Sequence, residues 1–162
     1  MSTPSSQMSP SSFAQGASPW NSGQYTARTF FTYESDITAT LAKNTSATLT
    51  FNIAGDSDFF WTKFAAFALV AGTATTYSAQ QLPAVTILIV NTTTGRQYSS
   101  AAVPLANMAG TAQFPFILPQ ITLWQKKSTI QITLQNEGST ANGVDYSNLH
   151  LSFHGIKAFT TA

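Results

Sequence analysis

The segment Ala47-Thr-Leu-Thr-Phe-Asn-Ile53 alternates without a break, with Leu49, Phe51 and Ile53 pointing one way and Thr48, Thr50 and Asn52 the other. Thr129-Ile-Gln-Ile-Thr-Leu-Gln-Asn136 repeats the pattern, with Ile130, Ile132 and Leu134 on one side. Successive side chains of a strand point to opposite faces, so a period of two predicts half-buried β-strands here. Tyr146 to Ile156 reads the same way, with Leu149, Leu151 and Phe153 against His150, Ser152 and His154. Tyr25 to Tyr33 is rich in Thr and aromatics, and Val85 to Val90 is a nearly continuous apolar run that predicts a strand buried on both faces. Turn chemistry separates these runs: Gly55-Asp-Ser-Asp58, Asn91-Thr-Thr-Thr-Gly-Arg96 with Gly95 suited to a positive φ, and Lys126-Lys127-Ser128. Roughly seven to nine strands punctuated this way predict an all-β chain, an antiparallel sandwich or barrel.

Some stretches are less direct. Phe59 to Ala71 offers helical spacing through Phe60, Phe64, Phe67 and Val70, and its alanines favour a helix. Its bounding turns and its aromatic and β-branched neighbours argue for a strand, which is the expectation adopted. Gly72 to Pro83 and Val103 to Ala112 read as loops, and Gln97 to Ser100 as the returning strand of a hairpin. Pro115 and Pro119 break the apolar runs Phe114 to Leu118 and Ile121 to Trp124, which places them at an edge or a corner.

Charge narrows the function. The chain has 7 Lys and Arg and 6 Asp and Glu among 162 residues, 8% charged, against about 25% for an ordinary soluble domain. Thr, Ser, Asn and Gln therefore carry the surface polarity, which suits a protein packed against neighbours. A net charge of +1 gives no electrostatic footing for nucleic acid or for an anionic membrane. No apolar run approaches the ~20 residues of a spanning helix, and no basic region followed by an apolar run marks an export signal. With no Cys there is no disulfide framework and no thiolate metal site.

The chemical inventory is equally thin. Glu34 with Asp36 and Asp56 with Asp58 are acid pairs that fall short of a calcium loop and read as turn or strand-end residues. His150 and His154 share a strand face about 13 Å apart, too far for one metal. No nucleophile elbow, phosphate loop or dinucleotide fingerprint is present. No catalytic residue, cofactor or metal ligand is expected, and the chain is not expected to be an enzyme. Trp61, Trp124 and Tyr98 have aromatic faces that could stack on sugars, but core or interface positions are the expected explanation for them.

Residues 1–24 differ from the rest. They are dense in Ser, Pro, Gln, Thr and Gly, contain no charged side chain, and show no periodicity. Such a segment buries too little to offset its own ordering. It is expected to be an extended N-terminal arm appended to a β-sandwich of residues 25–162. Met8, Phe13 and Trp20 would be its anchors on a neighbouring subunit, with folding back on its own domain as the alternative. Tyr25 and Arg96 complete the expected partner-binding set, and Lys63 and Arg96 are suited to reach a partner's carboxylates.

Ile53-Ala-Gly-Asp-Ser-Asp-Phe-Phe-Trp61, Val90-Asn-Thr-Thr-Thr-Gly-Arg-Gln-Tyr-Ser99, Phe114-Pro-Phe-Ile-Leu-Pro119, Ser128 to Asn136 and the closing Gly155-Ile-Lys157 follow one another in this order. Over Thr45 to Lys157 this succession resembles the decoration or cement proteins of tailed bacteriophage heads. The resemblance implies a jelly-roll-like sandwich. In it Asp56 to Trp61 turn into a core strand, the Thr-Gly-Arg stretch is a hairpin, and the Phe-Pro to Pro stretch is an edge. It carries no catalytic residue. It implies a virion structural protein on the outer surface of the capsid, made in the host cytoplasm. Such a protein binds the major capsid protein and bridges its subunits, and it associates with itself as a homodimer or homotrimer. A neck, tail or fibre-associated protein, and a carbohydrate-binding module, are the alternatives.

Overall fold

The computed structural model describes residues 25–71, 76–78, 84–111, 113–139, 141 and 143–160; the expected arm, with Met8, Phe13 and Trp20, lies outside them. The elements are β1 (Tyr25–Ile37), β2 (Thr45–Asn52), β3 (Asp58–Val70), β4 (Thr76–Ser78), β5 (Val85–Asn91), β6 (Arg96–Gln97), β7 (Val103–Pro104), a single helical turn α1 (Leu105–Met108), β8 (Phe116–Trp124), β9 (Thr129–Asn136) and β10 (Tyr146–Thr160). They form two sheets. Sheet A runs β1-β10-β3, with β8 and β4 sharing the far edge of β3; sheet B runs β2-β9-β5, with β6 and β7 sharing the far edge of β5. Among the described residues the pairings between these strands are all antiparallel. The long strands β1, β2, β3, β5, β8, β9 and β10 pass mostly from one sheet to the other in succession, which is the winding of a jelly roll.

The alternating strands fold as their pattern requires. Ile130, Ile132 and Leu134 of β9 and Leu149, Leu151 and Phe153 of β10 are fully buried between the sheets. The hairpin at 91–96 turns on Gly95, whose φ is 70°. Phe59 to Ala71 is strand, not helix, and its helix-like spacing has a physical source. His154 pairs with Lys63 and Gly155 with Trp61, so β3 holds an extra residue there. This β-bulge shifts the alternation: the core face of β3 reads Phe59, Trp61, Phe64, Ala66 and Ala68. Two side-chain bonds tie the bulge down, from Thr62 Oγ1 to the His154 carbonyl at 3.1 Å and from Trp61 Nε1 to the Lys63 carbonyl at 2.8 Å.

Three expectations are corrected. The stretch 72–83 contains the short strand β4, which covers Phe67 to Leu69. The stretch Val103 to Ala112 contains β7 and α1. Gly110 then donates to the Phe64 carbonyl and accepts from the Ala66 N–H, both at 3.0 Å. It thereby fills the gap between β8 and β4 along β3, where unpaired backbone groups would be costly. The returning hairpin strand is only Arg96–Gln97, beyond which Tyr98 N–H still donates to the Ile89 carbonyl at 3.2 Å.

The core has an aromatic cluster at one end of the sandwich, with Ile, Leu and Val side chains packed beyond it. Trp61 stacks on Trp124 with centroids 4.9 Å apart, Phe64 on Phe153 at 4.6 Å, and Tyr33 meets Phe59 edge-on at 4.9 Å. Each such pair adds about 0.5–1.5 kcal/mol beyond the area it buries. Gly155 makes room for it: a Cβ there would lie 2.1 Å from the Phe60 carbonyl oxygen and 2.7 Å from the Phe59 ring.

Candidate interaction surfaces

The two outer faces of the sandwich differ in charge. Strands β2, β5 and β9 contain no charged residue, whereas β1, β3 and β10 carry Arg28, Glu34, Asp36, Asp58, Lys63 and Lys157. The outer face of sheet B is built from three aligned rows: Ser46, Gln135 and Thr86; Thr48, Thr133 and Leu88; and Thr50, Gln131, Val90 and Gln97. Glu137 stands at its rim and accepts the Thr86 hydroxyl at 3.2 Å. With four strands ~4.8 Å apart and eight residues at ~3.4 Å each, the face covers about 500 Å². Its hydroxyls and amides lose far less than an ion would on leaving water.

The outer face of sheet A is patterned differently. Asp36 pairs with His150 at 2.7 Å, and the His150 ring stacks on Phe67 with centroids 4.6 Å apart. His154 meets the Thr32 hydroxyl at 2.9 Å and stacks against Phe30 at 6.2 Å. Burial holds the His154 pKa below its usual value; nearby Glu34 opposes this and Lys63 adds to it. The two histidines face outward, as their alternation predicts, and each has its own partner.

Tyr25 opens β1 on this face. Its ring meets Phe60 edge-on at 5.4 Å and its hydroxyl donates to Asp58 Oδ2 at 2.8 Å. Burial first, then the Asp58 hydrogen bond and charge, push its pKa up to about 12. Asp58 also accepts the Lys126 N–H at 2.8 Å, and Asp56 accepts the Ser57 hydroxyl at 2.8 Å, so these carboxylates serve their own turns. Lys157 is buried with its ammonium 4.2 Å from the centre of the Phe31 ring and 3.6 Å from Asp56.

Arg96 is on the other sheet and does not join Tyr25 in one site. Its guanidinium sits 5.6 Å from the Tyr98 ring, at a shallow cleft lined by Asn91, Thr94, Leu123 and Gln125. A second cleft, more apolar and about 220 Å³, lies where Leu118, Pro119 and Gln120 bulge from β8 over Trp61, Tyr98 and Met108. Between these clefts Tyr98 Oη and Trp124 Nε1 are buried without a well-formed hydrogen bond. Burial raises the Tyr98 pKa, while the nearby Trp124 indole, Arg96 and Asn91 offset part of the rise. Along the β8 edge Phe114 and Ile117 are 73% and 68% exposed.

Trp61 and Trp124 are 2% and 0% exposed. They are core residues and offer no open face for a sugar ring. The sequence reading missed the uncharged face of sheet B as a unit. Each strand's outward residues were legible, but not that β2, β9 and β5 lie side by side. Comparison with known proteins finds no matching family model, no similar curated protein and no similar solved structure.

Proposed function

We propose that the chain is a structural protein of a phage virion, a decoration or cement protein on the outside of the head, and that the outer face of sheet B contacts the capsid. The observation that carries this reading is the uncharged row structure of that face, Thr, Ser and Gln interrupted only by Leu88 and Val90, with every charge held on the other sheet, at the hairpin edge or in turns. A standard interface takes about 800 Å² from each partner, so a face of about 500 Å² supplies most of one and the adjoining turns the rest. A closed jelly roll brings rigidity to such a contact. The resemblance of the loop motifs gives the kind of partner, the major capsid protein. Repetition of the contact around a local symmetry axis strengthens it through effective concentration.

The test is a charge placed in the middle of the face. Thr48 and Thr133 are directly opposed, and Thr48→Lys with Thr133→Lys should leave the domain folded and cost at least about tenfold in attachment to heads, as an unpaired buried charge does. Attachment unchanged by the double variant would remove the face from the contact. Quantitative mass spectrometry of purified virions separates the head reading from a neck or tail one. Hundreds of copies per particle support decoration, and about a dozen would place the protein at a neck or tail ring.

A further inference from the structure

The turn before β8 holds an aromatic ring out in water and holds it stiffly. The Phe114 N–H donates to Thr111 Oγ1 at 2.9 Å, and the Thr111 N–H donates to the Phe114 carbonyl at 3.0 Å. Gly110, bonded to Phe64 and Ala66 of β3, anchors the turn from below. The two are so close that a Cβ on Gly110 would lie 2.1 Å from the Phe114 carbonyl oxygen. Pro115 fixes the backbone φ on leaving the turn. The Phe114 ring is nevertheless 73% exposed. A side chain presented on a backbone that is already ordered loses little further entropy when a partner covers it.

A receptor for such a ring lies beside it. Phe116, two residues on, is a wall of the apolar cleft of about 220 Å³, together with Trp61, Met108 and Leu118; Phe114 is not among the walls. An apolar cavity of about 150 Å³ takes up benzene, so this cleft has room for a phenyl ring. Ring and cleft are about 7 Å apart along the chain, at ~3.5 Å per residue. Phe114, Phe116 and Ile117 together expose about 350 Å², in the range of the largest apolar patches on monomers, which are often functional.

The charge pattern selects the occupant. Residues 97–124 contain no charged side chain, so a charged partner finds nothing there to recognise, while two identical copies bring no like charges together. Lys63, opposite Ile117 in register, stands at the rim. A two-fold axis would use the ring and the cleft twice, once from each copy, and close the assembly. With the cleft walls and the rim, the face comes to about 500 Å² per copy and about 1,000 Å² in all, at the threshold for a specific interface.

We propose that this face is a self-association site: two copies meet about a two-fold axis, and the Phe114 ring of each enters the cleft of the other. The contact leaves the outer face of sheet B free and does not rest on the capsid reading. An interface this small gives a reversible dimer with a dissociation constant of about 1–100 μM.

Sedimentation of the full-length protein from about 1 to about 500 μM should show monomer passing into dimer. Phe114→Ser removes the ring and leaves the turn's hydrogen bonds, and Gln120→Trp places a bulky side chain on an exposed wall of the cleft. Each should weaken the dimer at least about tenfold while circular dichroism and the unfolding temperature stay native. Monomer throughout the range overturns the proposal, as does a dimer that either variant leaves intact. Open-ended oligomers that depend on Phe114 would overturn the two-fold arrangement. The double variant Thr48→Lys with Thr133→Lys should dimerise as wild type does, so that the capsid reading and this one can fail separately.

Discussion

Replacing Gly155 by Ala tests whether the aromatic end of the sandwich depends on a missing side chain. The new Cβ would lie 2.1 Å from the Phe60 carbonyl oxygen and 2.7 Å from the Phe59 ring. The nearest atom is backbone, so no rotamer change relieves the contact, and β10 must move away from β3 by about 1 Å. Overpacking of this kind costs about 1–3 kcal/mol. Weakening the two or so ladder bonds beside the bulge adds about 0.5–1.5 kcal/mol each. The expected loss is therefore about 2–6 kcal/mol, a large part of the 5–15 kcal/mol of a typical domain. Urea unfolding followed by circular dichroism measures it, with an unchanged slope reporting that the unfolded state is unaltered. Gly95→Ala is the control. Gly95 has open space around it but a φ of 70°, so its substitution meets only the left-handed backbone penalty of about 1–2 kcal/mol. If Gly155→Ala costs less than Gly95→Ala, the argument from close packing at the bulge fails.

Tyr98→Phe removes a buried hydroxyl that lacks a well-formed hydrogen bond; it should leave stability unchanged or raise it by up to about 1 kcal/mol, and a clear loss in thermal unfolding would mean the hydroxyl is satisfied. Burial favours neutral His154, so its contribution to stability is complete above the unfolded value near 6.5 and is lost as the pH falls through the lower folded value; a ring-proton titration placing His154 at or above 6.5 would contradict the structure. Tyr25, with its pKa pushed up to about 12, should ionise later than free tyrosine. Its favoured neutral form means this stabilisation is present below pH 10 and declines between about 10 and 12, as the difference in ultraviolet titration between wild type and Tyr25→Phe would record.

Much of this protein was written in short-range pattern. The alternations at Ala47 to Ile53, Thr129 to Asn136 and Tyr146 to Ile156 determined strands and their buried faces, because a period of two admits one local structure that hides one face. Gly95 determined a hairpin turn, and Pro115 with Pro119 determined that their strand stands at an edge. The scarcity of charge was also legible, and with it a surface able to meet other surfaces at low desolvation cost. What the tertiary structure decided is how these pieces are combined. The bulge at Thr62 exists because β3 must keep Trp61 and Phe64 in one core against β10, a constraint set by a strand some 90 residues away. The same non-local pairing joins β2, β9 and β5 into one uncharged face. Neighbour relations between strands depend on chain crossings and core packing, which no local period encodes.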